Sequence, residues 1–219
     1  MSEVAGDEWC APPSPPLELR STMSRSRLEA FSDGVIAVVI TIMVLSLRPP
    51  DGSSLHDLRP LVPKLSVYLL SFIFLAIYWN NHHHLLQVVD RVTGAALWAN
   101  AHLLFWLSLT PVAAAWLGPH VSDSTPVAVY GVVLLGSGIA YWILIHTLIA
   151  AHGPESRLAQ AIGRDTKGNL SLVAYLVAIA VAPAVPWMSI GLYIAVAVVW
   201  FVPDRRVERV LTSASRGSH

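Results

Sequence analysis

Apolar residues run through this chain in blocks too long for the helices of a water-soluble core. Crossing the hydrocarbon layer of a membrane takes roughly 20 mostly apolar residues in a helix. Four blocks of that kind lie at about 28–47, 61–86, 94–117 and 125–151, and a longer apolar tract covers 169–202. The last tract is too long for one ordinary span. Pro183 and Pro186 sit at its middle, where the missing N–H and the ring of proline break or kink a helix. The tract therefore divides into two short spans around the turn Ala184-Val185-Pro186. This pattern predicts an all-α membrane protein with six transmembrane helices. Because each half of the divided tract is near the lower length limit, five helices is the alternative.

Composition agrees with lipid as the main solvent. Hydrophobic residues make up 54% of the chain and charged residues 13%, against about 25% charged in soluble domains. Formal net charge is zero, and no basic patch suggests nucleic acid. With Cys10 as the single cysteine, an internal disulfide and a thiolate metal cluster are both excluded. Residues 1–22 are acidic and rich in proline (Pro12, Pro13, Pro15, Pro16) with no apolar signal-peptide core. They read as a disordered cytoplasmic tail, residues 23–209 as the six-helix membrane domain, and residues 210–219 as a flexible C-terminal tail.

Charge placement sets the orientation. With the N-terminus inside, the inner segments hold Arg20, Arg25, Arg27, Arg91, Arg157, Arg164, Lys167, Arg205, Arg206, Arg209 and Arg216. The outer ones hold only Arg48, Arg59 and Lys64. Excess basic charge marks the cytoplasmic side, so both termini are expected there, which requires an even number of spans. Trp116, Trp187 and Trp200 fall near the expected interfaces, as aromatic belts do.

The first span begins with ionisable groups. Arg27, Glu29 and Asp33 precede the apolar run Val35-Ile36-Ala37-Val38-Val39-Ile40-Thr41-Ile42-Met43-Val44-Leu45. Ionisable groups at membrane depth are costly, so they usually face protein or water. One reading is interfacial snorkelling by Arg27 and helix capping by Asp33; the other is a functional network.

These residues resemble a known family. Arg27-Leu28-Glu29-Ala30-Phe31-Ser32-Asp33-Gly34 is similar to the R-x-x-x-F-S-D signature that opens the first helix of the transmembrane protein 175 family, endosomal and lysosomal potassium channels with bacterial relatives. Trp79-Asn80-Asn81-His82-His83 resembles the family's W-x-x-H-H on the second helix. Ser108-Leu109-Thr110-Pro111 with Trp116 resembles the S-L-x-P segment of the third, and Pro203-Asp204-Arg205-Arg206 the closing P-D-R-R. The likeness spans about residues 25–209.

The resemblance implies a homotetrameric potassium channel in the plasma membrane. In it four first helices line a pore that lacks a carbonyl filter; indeed the chain has no T-V-G-Y-G. Aligned through F-S-D, the family's apolar constriction falls on Val38, Ile42 and Leu45, with Thr41 at its threonine. Arg27, Phe31, Ser32 and Asp33 would then pack with Trp79, His82 and His83 into a network that fixes the pore helix. Val38 departs from the family's usual isoleucine, which implies a wider or shorter constriction. Potassium is implied as the permeant ion, with no cofactor and with lipid and further copies of the chain as partners. Spacing alone permits the stripe, since Val38, Ile42 and Leu45 are i, i+4 and i+7; it equally describes a core or lipid-facing stripe.

Nine histidines raise a metal reading. His82, His83 and His84 are consecutive and so project about 100° apart, and no H-E-x-x-H pair is present. A site built from His82, His102 and His146 is the weaker alternative to hydrogen-bonded interior histidines, with His82 and His83 expected to meet Ser32 or Asp33. A proton-coupled or other secondary transporter is the competing function, resting on Asp33, the histidines and the Pro183–Pro186 break. An enzyme is not expected, because no nucleophile–base or metal set converges.

Overall fold

The computed structural model describes residues 24–89, 91–153, 155–156, 158–159 and 165–201; the expected N-terminal and C-terminal tails lie outside them. The described residues are helical, with no strand among them. The helices are α1 (Arg25–Leu45), α2 (Val62–Gln87), α3 (Gly94–Ser108), α4 (Thr110–Leu117), α5 (Ser124–His152), α6 (Thr166–Val181) and α7 (Pro186–Phe201). Short 3₁₀ segments at Leu55–Leu61 and Gly118–His120 precede α2 and follow α4.

The spans match the expected six, with one refinement. The third apolar block is interrupted rather than continuous. Pro111 has no N–H to give the carbonyl one turn back, and the Leu109 N–H turns to the Trp106 carbonyl at 3.2 Å. The block therefore becomes α3 and α4, which together make one crossing. At the other proline site the chain leaves α6 at Val181 and starts α7 at Pro186. The Ala184 N–H bonds the Val181 carbonyl at 2.9 Å across the turn. Among the described residues, four spans are long and apolar enough to cross a membrane: α1, α2 with its 3₁₀ lead, α3–α4, and α5. α6 and α7 have 16 residues each, or about 24 Å at 1.5 Å per residue, a few ångströms short of the ~30 Å hydrocarbon layer.

α5 is the central post. It packs on α3, α4, α6 and α7, while α1 packs only on the α2, α3 and α4 side. Small residues let the neighbours of α5 approach closely. Gly131 faces the Tyr193 hydroxyl and Gly136 lies under the Trp106 ring, with no room for a Cβ at either place. Leu103, Leu107, Leu134, Leu144 and Leu148 fill the space between, all nearly inaccessible.

Polar contacts tie the helix ends on one side. The Arg25 guanidinium donates to the Gln87 carbonyl at 3.0 Å, and the Arg91 N–H donates to His152 Nε2 at 3.2 Å. These bonds bring together the start of α1 and the ends of α2 and α5, as an even number of crossings requires.

Candidate functional site

α1 has two faces. Leu28, Ser32, Ile36, Val39 and Met43 are buried against the bundle. Turned away from the bundle are Phe31, Val38, Ile42 and Leu45, exposed by 58%, 55%, 52% and 78%. Thr41 shares this outer face, and its hydroxyl donates to the Val38 carbonyl at 2.8 Å. The hydroxyl hydrogen is thus held along the helix while the oxygen keeps acceptor capacity. Ile40 is partly buried against the core. Val44 is 44% exposed, so the packed side of the helix is marked by Val39 and Met43 and not by Val44.

The buried face carries a polar cluster among apolar neighbours. Ser32 uses its hydroxyl hydrogen on the Leu28 carbonyl at 2.9 Å, so its oxygen accepts from the Asn100 amide nitrogen, also at 2.9 Å. That turns the Asn100 carbonyl oxygen towards His82, whose Nε2 donates to it at 2.7 Å. The assignment of amide and tautomer follows from the network itself. Ser32, His82 and Asn100 are all at or below 1% exposure. Three helices, α1, α2 and α3, are joined by two side-chain bonds, and buried polar groups demand such partners. His82 Nδ1 has none among the described residues.

A second set lies on the flank of α1. Asp33 Oδ1 accepts from the Trp79 indole N–H at 3.0 Å. Glu29 Oε1 lies 2.7 Å from His83 Nδ1, and the Gln87 amide meets His83 Nε2 at 2.8 Å. The Trp79 and His83 rings stack with centroids 6.0 Å apart.

The expected network members thus divide. Ser32 reaches His82 only through Asn100, and Asp33 takes Trp79 instead of a histidine. Arg27 lies on the exposed side, with no ion pair to Asp33 among the described residues. It is Arg25 that crosses to α2. Phe31 belongs to the exposed face with Val38 and Ile42. Sequence reading noted Glu29 and Arg25 near the entry of the first span but gave them no part in the network, and it passed over Asn100. The signal for Asn100 was available: an amide in the middle of an apolar span nearly always faces the protein.

His102 and His146 have local partners. His102 Nε2 accepts from the Trp106 indole at 3.0 Å, and His146 Nδ1 donates to the Trp142 carbonyl at 2.8 Å. His82, His102 and His146 do not converge, and no group of three His, Cys, Asp or Glu side chains suited to a metal exists among the described residues.

An all-helical bundle of apolar spans, with a polar cluster joining three of them near the start of the first, defines a multi-pass membrane protein. A family model described as endosomal/lysosomal potassium channel TMEM175 matches residues 27–111. A protein of Chryseobacterium sp. (strain P1-3) named a potassium channel is 49% identical over 189 residues, covering 86% of this chain and 98% of that one. The crystal structure of a lysosomal potassium-selective channel TMEM175 homolog from Chamaesiphon minutus superposes with a TM-score of 0.71 at 27% identity, covering 81% of this chain and 96% of that one. The human endosomal/lysosomal proton channel TMEM175 is 30% identical over 138 residues, 52% of this chain and 27% of its own length. The chain belongs to the TMEM175 family, whose members are ion channels and not enzymes.

Proposed function

We propose that this chain is the subunit of a homotetrameric, potassium-permeable cation channel of the plasma membrane, with both termini in the cytoplasm. Val38, Ile42 and Leu45 of the four α1 helices form its constriction, and lipid surrounds the outer helices. The observation that carries the reading is the exposed apolar stripe of α1, turned away from its anchored face. The relatives named as potassium channels support the choice of ion.

A narrow apolar tube gates by dewetting. When it widens, an ion passing through it sheds part of its hydration shell. Potassium holds that shell less tightly than sodium does, so it passes more easily. The Thr41 oxygens replace part of the lost hydration. Selectivity is accordingly modest compared with stacked carbonyls. The Pro183–Pro186 break is a turn between two spans, not a helix interrupted at mid-membrane, and so lends no support to a transporter.

Reversal potentials in a bilayer with opposed potassium and sodium gradients test the ion. Preference for potassium is expected, and preference for chloride ends the proposal. A proton current without potassium, as the name of the human relative suggests for that protein, is the second reading and would appear in the same recordings. Asparagine scanning tests the constriction. Ile42→Asn or Leu45→Asn removes the dewetting barrier, so current rises and selectivity falls. Ile40→Asn and Met43→Asn cost stability and leave permeation of the surviving protein unchanged. Equal effects on conductance at both pairs of positions would mean that α1 does not line the pore.

A further inference from the structure

Between α2, α5, α6 and α7, away from α1, the helices leave a cleft that the proposed pore does not use. Its space, open mouth included, is about 510 Å³. Tyr78, Tyr141, Tyr175 and Trp200 supply aromatic walls, while Asn81 and Asp165 supply the polar groups. The walls are held in place. Tyr78 and Tyr141 meet edge to face at 5.9 Å, and the Trp200 indole donates to Ser171 Oγ at 2.8 Å. Asp165 caps α6, its Oδ1 accepting from the Gly168 N–H at 2.8 Å.

That cap does not require a charge, because asparagine caps a helix as well as aspartate does. It also does not exhaust a carboxylate, which offers about four lone-pair positions. Aromatic faces carry the negative end of a quadrupole and attract organic cations within about 6 Å of the ring centre. Four such rings beside a carboxylate and an amide suit a cation with an apolar skin. They suit neither an anion nor a bare metal ion, for which a shell of oxygens would be needed.

We propose that this cleft binds an alkylammonium group. On the expected topology it lies in the cytoplasmic half of the membrane, beside the start of α6. Two sources present that chemistry there: the amine headgroup of a phospholipid and a soluble alkylamine. The proposal is independent of which ion the pore conducts.

The test uses the full-length channel purified in detergent, with choline chloride as the probe against equal sodium chloride. Choline raises the thermal unfolding midpoint of the wild type with saturation. Half-saturation moves to about tenfold higher choline in Asp165→Asn, the equivalent of about 1.4 kcal/mol, while the cap is retained. Tyr141→Leu, which keeps the charge and removes a ring, weakens binding as well. Two vesicle preparations identify the source. Retention of phosphatidylethanolamine over phosphatidylglycerol in native mass spectrometry, lost in Asp165→Asn, assigns the lipid. Choline binding without that preference assigns a soluble amine. No saturable choline shift, or equal half-saturation in wild type and Asp165→Asn, overturns the proposal.

Discussion

Removing the bond between His82 and Asn100 is the sharpest test of how α1 is anchored. Replacing Asn100 by leucine keeps the volume and leaves His82 Nε2–H without its 2.7 Å acceptor in a site where both residues are at or below 1% exposure. An unsatisfied buried donor costs about 1–3 kcal/mol in soluble proteins. Interhelical hydrogen bonds in membranes average only about 0.6 kcal/mol, with a maximum near 1.7, because the unfolded chain in lipid finds other partners. Burial here is complete, and the Asn100 amide also serves Ser32 at 2.9 Å. The coupling should therefore fall in the upper part of the membrane range, about 1–1.7 kcal/mol. A double-mutant cycle of His82→Leu and Asn100→Leu measures it. The readout is reversible unfolding of detergent-solubilised protein by a denaturing surfactant, so that the loss of packing in each single variant cancels. Energies additive to within about 0.3–0.5 kcal/mol would show that the bond does not join α2 to α3, and the account of the anchor would fail.

Other expected outcomes concern different parts of the fold. Gly131→Ala puts a methyl where the Tyr193 hydroxyl sits. It should destabilise the α5–α7 contact by about 1–3 kcal/mol in the same unfolding assay; a neutral result would show that α5 and α7 have slack there. Val38→Ile adds a methylene to each α1 at the constriction and should lower single-channel current; an unchanged current would place position 38 off the pore. The Asp57 carboxylate accepts from the Ser54 N–H at 2.9 Å and the Ser54 hydroxyl at 2.7 Å, and these bonds hold its pKa below the usual carboxylate value. A depressed pKa contributes order that is fully present above the ordinary carboxylate range and is lost as pH falls through the lowered value. Hydrogen exchange in Leu55–Leu61, corrected for intrinsic rate, should thus accelerate on acidification in the wild type and be pH-independent in Asp57→Asn. Equal behaviour of the two proteins would remove the role given to Asp57.

The spans were legible because lipid imposes a length and a composition on any segment that crosses it, and prolines mark where apolar runs must turn. Pro183 and Pro186 located the α6–α7 turn for that reason. Pro111 went unread as an interruption since a proline with apolar residues continuing on both sides does not end the block; it only redirects one hydrogen bond. The polar partners were harder. Motif position brought Ser32, Asp33, Trp79, His82 and His83 into view, but which of them touch depends on where a third helix delivers its own side chains. Asn100, 68 positions from Ser32, decides that His82 is reached at one remove. Arg27 illustrates the reverse case. Its place in the motif put it in the network with Asp33, yet the two positions are six apart on the helix, nearly two turns, and the residue reaching α2 is Arg25.

Both faces of α1 follow from the same economy of polar groups. Hydrogen bonds to α2 and α3 are directional, so Ser32, Asp33 and Glu29 fix the rotation of the helix about its own axis to within one side-chain position. Apolar contacts alone would allow it to turn, because almost every residue from Val35 to Leu45 is acceptable to lipid or core. Once that rotation is fixed, Val38, Ile42 and Leu45 have no choice of direction: they point away from the bundle. An isolated subunit leaves them exposed by 52–78% although nothing about their chemistry distinguishes them from buried Ile36 and Met43. The polar cluster near one end of the helix therefore specifies which apolar residues are presented at the other. A substitution that breaks the Ser32–Asn100–His82 chain should disturb permeation without touching a single residue of the exposed face.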